Sequence, residues 1–244
     1  MFDIEVINSG SDGNAVMIDD CILIDFGLAY KHVGKYMNKA DVIIVTHRHG
    51  DHFHLQAFKM FLKKNSFKVR NVMYMNKDVA NHIDEKLENS DLSFVPKREN
   101  ILKTNTFQDS TLEVYELNTK KGKYKMEVFR LVHDVENQGI ILTNEDGETL
   151  IYATDTETME YAPKGRQYDC ILVEGNYDKQ KVLEAMVSLD LERVRRSQFN
   201  ERHLSLSEFE NFVKKHSKPN TKVWQLHISS EFGTLSKLVD TEDY

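Results

Sequence analysis

A chain of 244 residues, 40% hydrophobic and 29% charged, can bury one substantial core, so a single domain spanning 1–244 is expected. Its formal charge of -7 argues against a surface that coats nucleic acid nonspecifically. No apolar run approaches the roughly 18 residues of a membrane span, and MFDIEVINSG lacks the features of a signal peptide, so a chain neither anchored nor exported is expected. Two cysteines, Cys21 and Cys170, each inside an apolar run, fit a reducing cytoplasm.

In chain order, residues 2–8, 15–19 and 21–27 read as short strands, with the SGSDGN turn at 9–14 between the first two. Residues 28–37 have helical spacing, and 41–46 (DVIIVT) form a β-branched run of the buried-strand kind. Asp51 suits the N-cap of a helix over 51–65. A strand at 68–76 and a helix at 77–90 repeat the pattern. Strands then dominate: 101–106, 110–118 and 120–132, followed by a hairpin over 137–155 with an Asp-Gly turn. Residues 168–176 read as another buried strand. Residues 205–217 read as a helix with a capping box from Ser205 to Glu208, and 221–229 as a last strand. Two β-rich blocks, each ending in helices, predict an α/β chain with sheets packed face to face and helices outside.

The densest chemistry is Thr46-His47-Arg48-His49-Gly50-Asp51-His52, at the end of one strand. His47 and His49 lie two apart on extended backbone and can converge on one ion. Asp51 and His52 enter a turn and point to a neighbouring position. His54 falls beyond the motif and reads as structural. His32, His82 and His216 lie in amphipathic stretches and are expected at the surface.

This motif resembles the HxHxDH signature of the metallo-β-lactamase superfamily, and later residues match in order. The resemblance implies a four-layer αββα sandwich. It also implies two divalent ions, one held by His47, His49, His133 and Asp155, the other by Asp51, His52, Asp155 and His227. An aspartate at position 155, where familiar class B lactamases carry a cysteine, argues against lactam hydrolysis. Glu174 and His203 are similar to an acid–histidine pair of ribonuclease Z. SGSDGN, EGNYD, HLS and the terminal HIS resemble the YycJ-type nucleases. The chain departs from these by Asn200-Glu201-Arg202 before His203 and by having no long inserted arm of the ribonuclease Z kind. Asn14 is implied as support for the metal loop, and a homodimer stays open.

Two ions about 3.5 to 4 Å apart hold and activate a water between them, and with the likeness of Glu174 and His203 to the ribonuclease Z pair a phosphodiesterase of the nuclease kind is the expected activity. Asp51 would handle the nucleophile, and His203, held by Glu174, would protonate the leaving oxygen. Arg196, Arg202, Asn176 and Ser229 are the expected substrate contacts. Zinc is the first choice of metal and manganese the second. The substrate is expected to be a nucleic acid or a small nucleotide phosphodiester. Alternatives are a cyclic nucleotide of the phage anti-Pycsar kind and, on the same metals, a thioester.

Overall fold

The computed structural model describes residues 1–65, 71–88, 101–106, 111–188 and 202–239. Strand β4 (Val42–Val45) is apolar at every position because both its faces are covered. Val42 and Ile44 enter the core between the two sheets, while Ile43 and Val45 pack beneath helices. At roughly 1.5–3 kcal/mol per fully buried aliphatic side chain, that packing outweighs the roughly 1–2 kcal/mol per residue of backbone ordering.

The first sheet runs in chain order: β1 (Ile4–Asn8), β2 (Ala15–Ile18), β3 (Ile22–Ile24), β4, β5 (Val72–Asn76) and β6 (Ile101–Thr104). β1, β2 and β3 pair antiparallel, and β3 to β6 pair parallel. Parallel neighbours need crossovers, and α1 (Tyr30–Lys39), α2 (Leu55–Asn65) and α3 (Lys77–Glu88) supply them, covering the sheet's outer face.

The second sheet has the order β12-β11-β10-β9-β8-β7. Its strands are β7 (Glu113–Thr119), β8 (Gly122–Leu131), β9 (Asn137–Thr143), β10 (Thr149–Ala153), β11 (Tyr168–Glu174) and β12 (Ser217–Leu226). Its outer face carries α5 (Leu206–His216), while α4 (Lys179–Val187) follows β11. Trp224, Leu172, Tyr152, Ile140 and Val128 meet Ile18, Ile24 and Ile44 across the interface. This is the expected αββα sandwich. The Asp-Gly hairpin joins β9 to β10 with Gly147 at φ 80, and Ser205 and Glu208 form the capping box.

Three local expectations change. Helix α2 begins at Leu55, and His54 caps it: Nδ1 accepts from the Ala57 amide at 3.1 Å. Asp51 is unavailable as a cap because residues 49–53 form their own turn, with the amides of His52 and Phe53 bonded to the His49 carbonyl. Helix α4 has no counterpart in the sequence reading; Asp178 caps it through the Gln180 amide at 2.9 Å. His216 is buried rather than superficial, stacked on Phe212 with ring centroids 4.3 Å apart and its Nδ1 2.7 Å from the Arg166 carbonyl.

Candidate active site

The parallel strands β4, β10, β11 and β12 deliver their C-terminal ends to one rim of the sandwich, the usual place for a ligand in such sheets. His47 and His49 leave β4 there with ring centroids 4.8 Å apart. His133, just beyond β8, brings Nε2 to 3.3 Å from His49 Nδ1. Opposite them, Asp51 Oδ2 lies 3.7 Å from His52 Nε2 and 3.6 Å from His227 Nε2. Asp155 sits between the groups, with Oδ2 2.7 Å from His52 Nε2 and Oδ1 3.4 Å from His227 Nε2. All seven sequence-predicted ligands therefore meet, in sets whose ligand atoms lie within 4.8 Å of one another.

The donor set fits cations. His47 Nε2 and His227 Nε2 are buried without a hydrogen-bond partner, an arrangement that buried polar atoms rarely tolerate. Burial, then the His52 charge, holds the His47 ring well below its ordinary pKa, so its lone pair is free. Burial opposes ionisation of Asp155, yet His227 and His52 keep its carboxyl well below the usual range. Asp51 is likewise lowered against its burial by His227. Two anionic carboxylates among imidazoles make a site for divalent ions.

A buried polar shell aims these ligands. Asp25, fully buried after β3, accepts from His52 Nδ1 (2.8 Å), the Thr46 amide (2.8 Å) and the Thr46 hydroxyl. It thereby turns His52 Nε2 toward the cluster. Burial disfavours a charged His52, but Asp155 and Asp25 together raise it well above its ordinary value. Asn14, in the SGSDGN turn, places Nδ2 2.8 Å from His52 Nε2 and 3.2 Å from the Asp51 carbonyl. Ser9 Oγ accepts from the His227 amide at 2.8 Å, so one turn braces both sides of the cluster. Asn76 Nδ2 donates to the carbonyls of Thr46 and Glu136, and Asn137 Nδ2 to those of Thr154 (2.9 Å) and Asp155 (2.7 Å). Gly27 is required where it stands, since a Cβ there would lie 1.7 Å from the Asp51 carbonyl oxygen.

Sequence reasoning missed Asp25, Asn76 and Asn137. Asp25 had one visible signal: a lone carboxylate closing the apolar run CILI. The amides had none.

Beside the cluster, Glu174 is fully buried. Its Oε1 accepts from the amides of Thr156 (2.6 Å) and Leu204 (3.1 Å), and its Oε2 lies 3.0 Å from His203 Nδ1. His203 Nδ1 is also 3.5 Å from Asp155 Oδ1, and its ring stacks on His227 at 5.1 Å. Burial pulls the His203 pKa down, but the Glu174 hydrogen bond and charge prevail and raise it to about 9. Arg202 extends to within 3.6 Å of Asp134. Arg196 lies outside the described residues. Asn176 is buried, with Nδ2 2.7 Å from the His227 carbonyl and 3.0 Å from His227 Nδ1. Ser229 closes its own turn, its hydroxyl accepting from the Phe232 amide at 3.1 Å.

Two facing sheets with helices outside and a histidine–aspartate cluster at the strand ends define an αββα protein built to hold metal. Residues 22–221 match the family described as Beta-lactamase superfamily domain, and the chain belongs to that family. In fold it is similar to the human tRNase Z short form (TM-score 0.66, 17% identity, covering 97% of this chain and 96% of that one). It is also similar to the metallo-β-lactamase fold protein YhfI from Bacillus subtilis (0.62, 16%, 95% and 87%). A third neighbour is a diphosphatase of the PhnP family (0.59, 14%, 94% and 88%). No curated protein sequence matches the chain. Among the described residues, no helix is long and apolar enough to cross a membrane.

Proposed function

We propose that this protein is a dinuclear metal-dependent phosphodiesterase of the nuclease type. The observation that carries the reading is the Glu174–His203 pair, held at 3.0 Å against the metal-ligand cluster. Hydrolysis of a thioester needs no general acid for its leaving group, whereas departure of an alkoxide from phosphate does. A histidine ring that keeps its proton at neutral pH supplies one.

His47, His49, His133 and Asp155 would hold one ion, and Asp51, His52, Asp155 and His227 the other. The imidazole-rich set favours zinc, with manganese second. When bound, such ions supply an activated water and neutralise charge on the phosphodiester oxygens. Asp51, kept ionised, takes the proton of the attacking water. Glu174 fixes His203 through Nδ1, which leaves Nε2–H to donate to the departing oxygen. Arg202 meets a flanking phosphate, and Asn176 steadies His227. Substrates are nucleic acids or nucleotide phosphodiesters. Two buried free thiols, Cys21 and Cys170, suit the reducing cytoplasm.

The test measures cleavage of bis(p-nitrophenyl) phosphate, cyclic mononucleotides, a thioester and 5′-labelled single strands by the native protein, His49→Ala and His203→Ala. His49→Ala is expected to lose metal and all activity. His203→Ala is expected to keep its metal and to cleave the strands and cyclic nucleotides, whose leaving oxygen is an alkoxide, 10²–10⁴-fold more slowly, roughly the usual worth of a general acid. Cleavage of bis(p-nitrophenyl) phosphate, whose nitrophenolate departs unprotonated, should lose much less. Thioester cleavage with no phosphodiester turnover, or an unchanged rate of strand and cyclic-nucleotide cleavage in His203→Ala, would remove the proposal.

A further inference from the structure

A second feature lies beside the cluster. A cavity of about 290 Å³ is lined by Thr106, Arg130, His133, Glu136 and Asn137 among others. His133 is shared with the ligand cluster, and Asn137 holds the carbonyl of Asp155, so this space adjoins the reaction centre. Its volume is near the lower end of ligand pockets, roughly 300–1,000 Å³, and suits one nucleotide unit.

Arg130 distinguishes it. The other described arginines have carboxylate partners: Arg48 with Asp78, Arg166 with Glu127, Arg202 with Asp134. Arg130 has none among the described residues; its guanidinium instead lies over the Tyr161 ring, 5.3 Å from the centroid. A guanidinium laid on an aromatic face is restrained, yet keeps its N–H edge open to meet two phosphate oxygens bidentately. We propose that Arg130 binds the phosphate that flanks the scissile one on the side of this cavity, a different phosphate from the one Arg202 meets, so that the substrate is an oligonucleotide strand rather than an isolated phosphodiester. This rests on the phosphodiesterase reading and names the substrate within it.

Glu136 refines the choice. Its carboxylate stands in the same cavity, with the Thr106 hydroxyl donating to it at 3.4 Å. A terminal phosphate carries nearly two charges at neutral pH and is repelled by that carboxylate more than a singly charged internal linkage is. A cyclic mononucleotide has no second phosphate, so Arg130 has nothing to bind. An internal linkage satisfies Arg130 at the least repulsion from Glu136, while Glu136 accepts from a sugar or base donor.

The experiment has two arms, both on the metal-loaded protein. In the first, kcat/KM is measured for a short single strand and for bis(p-nitrophenyl) phosphate in the native protein, Arg130→Ala and Arg130→Lys. The ratio of strand to small substrate is expected to fall at least tenfold in Arg130→Ala, chiefly through KM, and less in Arg130→Lys. In the second, fluorescence anisotropy follows binding of a labelled strand and of the same strand with one uncharged methylphosphonate beside the scissile linkage. Neutralising that linkage should weaken binding to the native protein at least fivefold and to Arg130→Ala by less than twofold. An unchanged ratio, parallel loss of both rates, or an equal methylphosphonate penalty in both proteins would overturn the assignment. If Arg130→Ala does not fold, Arg130→Lys supplies the comparison. If the native protein cleaves neither substrate, the phosphodiesterase reading fails while the anisotropy arm still decides the subsite.

Discussion

Replacing Glu174 by Gln preserves its shape and removes its charge, so it isolates the charge on the His203 interaction. The amide oxygen can keep the Thr156 and Leu204 amides, but its NH₂ group then faces His203 Nδ1. Nδ1 must accept, the proton moves to Nε2, and the ring becomes neutral. Burial itself works against a charged His203, and Glu174 first, then Asp155 and Asp51, raise it from 6.5 to about 9, a net change worth about 3 kcal/mol. Because the folded value lies above the unfolded one, this contribution is fully present below pH 6.5 and is lost as pH rises through about 9. In metal-free protein, urea unfolding should therefore show native and Glu174→Gln differing by a few kcal/mol, on the order of 3, at pH 6 and converging near pH 10. The loaded Glu174→Gln protein should bind metal and lose roughly 10²–10³-fold in phosphodiester turnover. Glu174→Ala strips both backbone amides of their acceptor, at roughly 1–3 kcal/mol each plus a cavity. Against a total stability of roughly 5–15 kcal/mol, that variant should be severely weakened. A stability gap that does not vary with pH, or native turnover in Glu174→Gln, would refute the reasoning.

Two further substitutions test the frame around the cluster. Asn137→Ala deletes the bonds to the Thr154 and Asp155 carbonyls, at a cost of roughly 2–6 kcal/mol. Elemental analysis and calorimetry should show weakened metal binding; native stoichiometry and affinity would count against the role. Gly27→Ala places a Cβ 1.7 Å from the Asp51 carbonyl oxygen and 2.8 Å from the His52 amide nitrogen, where no flexible side chain can give way. The HxHxDH turn must move, so metal content and melting temperature should both drop, and a fully loaded variant with a native melting curve would contradict the packing.

What could be read from the sequence was local. The HxHxDH ligands fall within six residues, the capping box is a four-residue pattern, and the Asp-Gly hairpin carries its own turn chemistry. Each needs no knowledge of what lies across the core. His133, Asp155 and His227 were reached only through their order relative to a known family, since a histidine or aspartate after a strand is ordinary taken alone. The amides were beyond reach for the same reason. Asn137 acts on carbonyls 17 and 18 residues away, and Asn76 on one 60 residues away. Their partners are backbone atoms, which no side-chain pattern advertises. His216 misled because a histidine at the end of an amphipathic helix normally faces water. Here Phe212, one turn earlier, and the Arg166 carbonyl draw it inward.

The strand ends show why such supports are needed. Asp25, Asp155 and His227 have φ of 60°, 55° and 52°, a left-handed conformation that costs a residue with a Cβ on the order of 1–3 kcal/mol. Each follows a parallel strand, and the reversal swings its side chain off the sheet toward the rim. A glycine would adopt the bend readily and supply no ligand. The backbone groups released at each bend are captured individually. The Asp25 amide donates to the Ile44 carbonyl, the Asp155 carbonyl accepts from Asn137, and His227 is held at its amide by Ser9 and at its carbonyl by Asn176. Strain, buried carboxylates and unpartnered imidazole nitrogens thus coincide at one rim, stabilised by amides and hydroxyls that hold them there. A core selected for stability alone would lack that combination, whereas a site that must present lone pairs to cations needs it.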